Sequence, residues 1–222
     1  MKKVWIIALV MVCQITFAQV TKNLGDFNAL SVFDKVNVKL IASTENKIVI
    51  KGSRASELET VNKNGELKIR MPFPKLLSGD DITVQLYFKN IDEVSASEGS
   101  YISSDAIFKA TIMNISAREG AEIHLDLDVE KANVKAVTGG IIELSGKANN
   151  QDVTITAGGI VEAADLHTSQ TTISVSAGGN AEIHATTLVD AKVRAGGTVK
   201  IYGKPKQINK ATVLGGKIEE MN

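Results

Sequence analysis

The sequence predicts an all-β protein whose C-terminal part is a parallel β-solenoid of about 20 residues per coil, led by an N-terminal β-cap or irregular coils. Three observations carry this. First, a Val/Ile, a polar residue and an Ala recur at Val94-Ser95-Ala96, Ile115-Ser116-Ala117, Val134-Lys135-Ala136, Ile155-Thr156-Ala157, Val175-Ser176-Ala177 and Val193-Arg194-Ala195, with the alanines 21, 19, 21, 20 and 18 residues apart. Second, six residues beyond each Ala stand Ile102, Ile123, Ile142, Ala163, Ile183 and Ile201. Small or apolar Ser100, Ala121, Gly140, Val161, Ala181 and Val199 lie on the same parity, which turns one strand face inward. Tyr101, Glu122, Ile141, Glu162, Glu182 and Lys200 then point outward. Third, a glycine-bearing turn separates the two strand pieces of each unit: Glu98-Gly99, Glu119-Gly120, Gly139-Gly140, Gly158-Gly159, Gly178-Gly179 and Gly196-Gly197. A unit this short cannot bury its own apolar face, so it stacks on its neighbours. Hairpins would alternate strand direction and would not repeat one motif in the same sense. Stacking six or seven coils at the usual strand spacing gives a rod of roughly 30 Å.

In chain order, residues 1–18 read as a signal peptide: Lys2 and Lys3 precede an apolar run from Val4 to Val12, and Thr16-Phe17-Ala18 forms a small-x-small cleavage site. The run is too short to span about 30 Å of hydrocarbon. Val10-Met11-Val12 ahead of Cys13 lacks the small residue that lipoprotein processing needs. Cleavage leaves 204 residues starting at Gln19, with 23 basic and 25 acidic side chains and no cysteine. Such a chain stands in an oxidising compartment without disulfides. Residues 19–90 are expected to form the cap. Val32, Val36, Val38 and Leu40 share a parity, Ile48-Val49-Ile50 is a short apolar run, and Asn64-Gly65 turns the chain before Leu67 to Met71. Arg54 to Thr60 reads as a brief helical turn. Pro72-Phe73-Pro74 and Ser78-Gly79-Asp80-Asp81 read as loops, and Ile82 to Phe88 as a strand. Residues 91–222 hold the regular coils, with a third short strand near Ile107, Leu127 and Leu188. A degenerate repeat, Val213-Leu214-Gly215-Gly216-Lys217-Ile218, closes the far end before Glu219-Glu220.

The leader, the segment FNALSVFDKVNVKLIASTENKIVIKG and the repeated V-S-A-x-G-x-I elements together resemble the head GIN domain family of putative autotransporter adhesins, over roughly residues 24–220. The resemblance implies a right-handed parallel β-helix, exported by a Gram-negative cell, with adhesion as its inferred role. It brings no catalytic or ligand-binding residues. A full autotransporter would add a series of amphipathic membrane strands forming a barrel, and the sequence has none.

Chemistry is harder to find. The equal totals of 25 basic and 25 acidic residues argue against nucleic acid as a partner. Glu122-Ile123-His124 and its copy Glu182-Ile183-His184 look like metal ligands, but three coils separate them, about 14 Å at strand spacing, whereas zinc holds its nitrogens near 2 Å. His167, in a turn-like segment, offers nothing further. Asp126 and Asp128 share a parity without an acidic ladder around them, and Asp152, Asp165 and Asp190 fall at unlike positions. Lys135 and Arg194 share an outward position that Ser116, Thr156 and Ser176 occupy in other coils, so no basic stripe forms. Tyr101 and Tyr202 sit near opposite ends as ordinary surface. The glycine pairs lead into strands, not helices, and so do not cradle phosphate.

The expectation is therefore a non-catalytic adhesin-like protein, secreted or held at the envelope, periplasmic, outer-surface or extracellular. No catalytic residue, cofactor or metal site is expected. A glycan or surface-protein ligand and self-association are the partner classes, with no transmembrane span in the mature chain. The alternative is a carbohydrate-active enzyme, a polysaccharide lyase or hydrolase, with a groove where cap meets rod.

Overall fold

The computed structural model describes residues 19–221, so the leader read over residues 1–18 lies outside the described residues. Sixteen strands join in one continuous hydrogen-bonded system, and no helix occurs among the described residues.

The regular rod consists of β8 (Glu93–Ala96), β9 (Tyr101–Arg118), β10 (Glu122–Val137), β11 (Ile141–Thr156), β12 (Ile160–Ser176), β13 (Asn180–Arg194), β14 (Thr198–Tyr202), β15 (Gln207–Val213) and β16 (Lys217–Glu220). All their mutual pairings are parallel. The protein is a β-solenoid, as the repeat implied. The third strand of each coil is not separate: β9 to β13 run for 15 to 18 residues around the bend between faces. Ile107 does not face inward there; it is exposed, and Phe108 stacks on Leu127 in its place.

The Ala repeat is only half in register. Ala96, Ala117 and Ala136 do stack, but above Ala136 come Ile155, Val175 and Val193. Ala157, Ala177 and Ala195 lie two residues on, with φ of 50°, 56° and 56°, as the first residue of the turn. They correspond to Glu98, Glu119 and Thr138, which are also left-handed. Each turn is thus a pair of left-handed residues, and Gly99, Gly120, Gly139, Gly158, Gly178 and Gly196 supply the second. The next residue meets the coil below: a Cβ on Gly140 would run into the carbonyl oxygen of Ala117. Because the slip is an even number, inward and outward faces survive it. Ile102, Ile123, Ile142, Val161, Ala181 and Val199 form one buried stack; Ala163, Ile183 and Ile201 form another.

The N-terminal part is threaded through the rod. β2 (Ala29–Val32) and β3 (Asn37–Ala42), joined by left-handed Asp34 and Lys35, make one coil. The rod's β8 and β9 stack parallel on one side of it; β6 (Glu66–Arg70) and β7 (Thr83–Phe88) stack parallel on the other. Antiparallel strands then cover the end. β5 (Glu59–Lys63) forms a hairpin on β6 through Asn64 and Gly65, whose φ of 54° and 81° suit a two-residue type I′ turn. β4 (Lys47–Lys51) pairs antiparallel with β7, and β1 (Gln19–Asn23) with β4. The helical turn expected at Arg54 to Thr60 is a run of turns over residues 53–57, and Glu59 already begins β5. One core runs from Phe27 in the cap to Ile201 near the far end.

Candidate interaction surface

Side chains that leave the core stand in rows along the rod, about 4.7–4.9 Å apart. Three rows have distinct chemistry.

The first passes from Ser103 through His124, Glu143, Glu162 and Glu182 to Lys200. The sequence repeat places Glu162, Glu182 and Lys200 in one row with Tyr101, Glu122 and Ile141; the observed register puts Ser103, His124 and Glu143 there instead, so the run has three carboxylates. His124 lies between two acids, with Nδ1 at 2.8 Å from Glu143 and Nε2 against Glu122. The Tyr101 ring is 5.2 Å from its imidazole. Lys200 ends the acidic run with Nζ 2.9 Å from Glu182, and that hydrogen bond holds the ammonium pKa above its ordinary value.

The second row runs Lys109, Asp128, Lys147, His167, His184 and Tyr202. Lys147 reaches Asp128 at 3.3 Å. Above it, His167 and His184 meet edge to face, with ring centroids 4.2 Å apart. The two Glu-Ile-His copies therefore do not occupy equivalent positions: Glu182, not His184, stands in the row of His124. His167, which the sequence left in a turn, is a strand residue paired with His184.

The third row runs Glu93, Asn114, Asn133, Asp152, Thr172, Asp190 and Asn209. Asp152 and Asp190 thus share a row, contrary to the sequence reading, while Asp165 lies elsewhere, beside Ser145. Asn133 donates to Asn114 at 2.9 Å. Lys131 reaches Asp152 at 2.6 Å. Beside it runs a second line, Ser116, Lys135, Thr154, Ser174 and Lys192. Lys192, not Arg194, is the partner position of Lys135; Arg194 shares its row with Thr156, Ser176 and Val137. Between the two lines lies an open groove of about 350 Å³, lined by Asn114, Ser116, Asn133, Lys135, Asp152 and Thr154. With Glu93 at one end, it offers hydroxyls, amides, one ammonium and two carboxylates on a flat scaffold.

Among the described residues no three His, Cys, Asp or Glu side chains converge as a metal-binding group. None of the described residues forms a helix long and apolar enough to cross a membrane.

A rod of parallel coils closed at one end by an antiparallel cap, with polar ladders on its outer faces, defines a capped β-solenoid protein. The family model described as "Putative auto-transporter adhesin, head GIN domain" matches residues 26–205, and the chain belongs to that family. No curated protein sequence matches it. Among solved structures it is similar to a putative adhesin from Bacteroides fragilis, at 18% identity and a TM-score of 0.86, covering 94% of this chain and 98% of that one. It is also similar to a putative adhesin from Parabacteroides distasonis, at 16% identity and 0.73 over 92% and 97% of the two chains. A third similar structure, at 14% identity and 0.69 over 92% and 96%, is described as a putative lipid binding protein from Parabacteroides distasonis. At these identities the likeness concerns the fold.

Proposed function

We propose that the chain is exported, cut after Ala18, and acts without catalysis as an adhesin-type protein, secreted or held at the envelope, whose rod presents its outer rows to a glycan or a surface protein. The observation that carries this reading is the groove along Asn114, Asn133 and Asp152. Stacked strands hold its donors and acceptors at a repeat close to the size of a sugar unit, with no need for a mobile loop. Affinity on such a surface is spread over coils, because each coil contributes a few exposed hydrogen bonds of modest worth.

The test is binding of the purified protein to glycan and surface-protein arrays, with turnover assayed in parallel. A combined Asn133→Ala, Asp152→Ala and Thr154→Ala variant is expected to lose at least tenfold in affinity. His124→Ala and Asp128→Ala are each expected to keep most of it. A ligand held equally well by the combined variant would overturn the assignment of this face. Export is tested by intact mass from the native host: a chain starting at Gln19, or its cyclised form, is expected, and recovery of all 222 residues would refute cleavage.

One observation favours the alternative of a carbohydrate-active enzyme. His124, flanked by Glu122 and Glu143 and beside Tyr101, lies one coil from the place where cap strand β3 pairs with β9. Glycan cleavage abolished by His124→Ala would establish that reading, since removing one acid or base costs orders of magnitude in rate.

A further inference from the structure

We propose that His167 and His184 form a surface binding site for a divalent transition metal of the zinc, nickel and copper class. The site is built by a bulge. Ala163 pairs with Ile183, yet the next pairing of the same two strands is His167 with His184, so Ala164, Asp165 and Leu166 are extra residues on β12. They throw His167 forward to meet its neighbour, leaving its Nδ1 3.2 Å from His184 Nε2. Two nitrogens each about 2.0–2.1 Å from one zinc ion at a tetrahedral angle are themselves about 3.3 Å apart. The pair already has the spacing of two ligands of one ion.

The tautomer of His184 points the same way. Its Nδ1 lies 3.2 Å from the carbonyl oxygen of Ala164, in the bulge. A carbonyl only accepts, so His184 Nδ1 carries the proton and Nε2 has a lone pair, which accepts from the Nδ1–H of His167. When an ion binds, His167 takes its Nε2–H tautomer and both facing lone pairs turn to the metal. A ring N–H donated to a backbone carbonyl is the usual outer contact of a metal-bound histidine; it fixes the ring and raises the basicity of the other nitrogen. Beside Nε2 the chain places Gly203, whose Cβ, if it had one, would stand 2.6 Å from that nitrogen. With φ of 89°, and with a Cβ that would also fall 2.4 Å from the Ala185 carbonyl oxygen, Gly203 is a residue for which glycine is favoured, and a side chain there would press on the His184 ring.

Imidazole pairs select zinc, copper or nickel over calcium and magnesium, which require oxygen ligands. Since no third His, Cys, Asp or Glu converges among the described residues, water fills the remaining positions, and the site is open and exchangeable. The experiment is titration of tag-free protein with Cu²⁺, Ni²⁺ and Zn²⁺ separately, with Mg²⁺ and Ca²⁺ as hard-ion controls. One equivalent is expected to bind, copper tightest, with two-nitrogen coupling in the Cu²⁺ electron paramagnetic resonance spectrum. His167→Ala and His184→Ala should each weaken binding at least tenfold and reduce the coupling to one nitrogen. Gly203→Ala should weaken it, and His124→Ala should leave it within about twofold. Circular dichroism melts confirm that each variant is folded. Absence of saturable binding, or copper coupling unchanged in either histidine variant, would overturn the proposal.

Discussion

At the residue scale, what the rod demands is read most directly at Ile183. It is fully buried and stacked between Ala163 and Ile201 in the coils on either side. A carboxylate there would be desolvated without a partner, a cost of several kcal/mol. Ile183→Asp, and Ile142→Asp in the neighbouring buried stack, are expected to abolish folding or lower the melting temperature severely. Glu162→Lys is the contrasting substitution. Glu162 stands outward between Glu143 and Glu182, like charges directly across from it on both sides, which disfavours the native carboxylate. The lysine variant is expected to melt at or slightly above the wild-type temperature; equal damage from both kinds of substitution would disprove the register.

Glu98 gives a second residue-scale prediction. Burial, and then the neighbouring charge of Asp34, hold its carboxyl above the ordinary value of 4.5. Asp34 is itself buried, accepting the Met71 N–H at 2.9 Å and the Leu77 N–H at 2.8 Å. A raised folded-state pKa means that the folded protein holds this proton more tightly than the unfolded chain. The associated stability is fully present below 4.5 and is lost as pH rises through the folded value. Glu98→Gln, which cannot ionise, should therefore melt above wild type at pH 7, with the difference shrinking toward pH 4. A difference independent of pH would show that ionisation is not the cause.

At the scale of elements, the two ends of the rod are protected by different means. The cap end uses antiparallel strands, whereas the far end leaves β15 and β16 as edges. Lys210 and Glu220 sit there at positions that pair with buried Ala191 and Ile201 of the preceding coil. They meet over the open end at 2.5 Å. Inward-pointing charge is one way natural sheets stop a further strand from adding. A combined Lys210→Ile and Glu220→Ile variant is expected to associate with rising concentration, read by sedimentation or light scattering, more strongly than wild type. If its mass distribution matches wild type, the ion pair is not what guards the edge.

The elements also show what the sequence could and could not say. Alternation along Ile102, Ile123 and Ile142 reveals a strand face because its period is two, and the hairpin at Asn64-Gly65 is legible because the dipeptide suits that turn. The coil register was harder. The Val/Ile-polar-Ala triplet occurs both where Ala lies within a strand, as at Ala96, Ala117 and Ala136, and where it opens the turn, so Ala157, Ala177 and Ala195 aligned with the wrong partners. That slip of two kept Glu143 out of the row that holds Glu162 and Glu182. The meeting of His167 and His184 depends on the bulge Ala164-Asp165-Leu166, which has no signature of its own. The threading of β2 and β3 between later strands was equally hidden, since periodicity says nothing about the order in which coils stack.

At the scale of the whole molecule, that threading decides how the chain can come apart. In a solenoid each coil touches only its neighbours, so an end can fray while the middle persists. Here the first coil in sequence is not an end: β2 and β3 are enclosed on both sides, and the strands that cover them, β6 and β7, come later in the chain. Opening the N-terminal part therefore exposes Leu30, Val32, Val38 and Leu40, all buried, on two interfaces at once. At the other end, β15 is exposed along nearly its whole length and contacts only one neighbouring coil. Hydrogen exchange is expected to be fastest in β15 and β16, to slow through β13 and β12, and to be slowest in β2, β3 and the first half of β9. Slower exchange in β15 than in β3 would mean that the cap, and not the open end, is where unfolding begins.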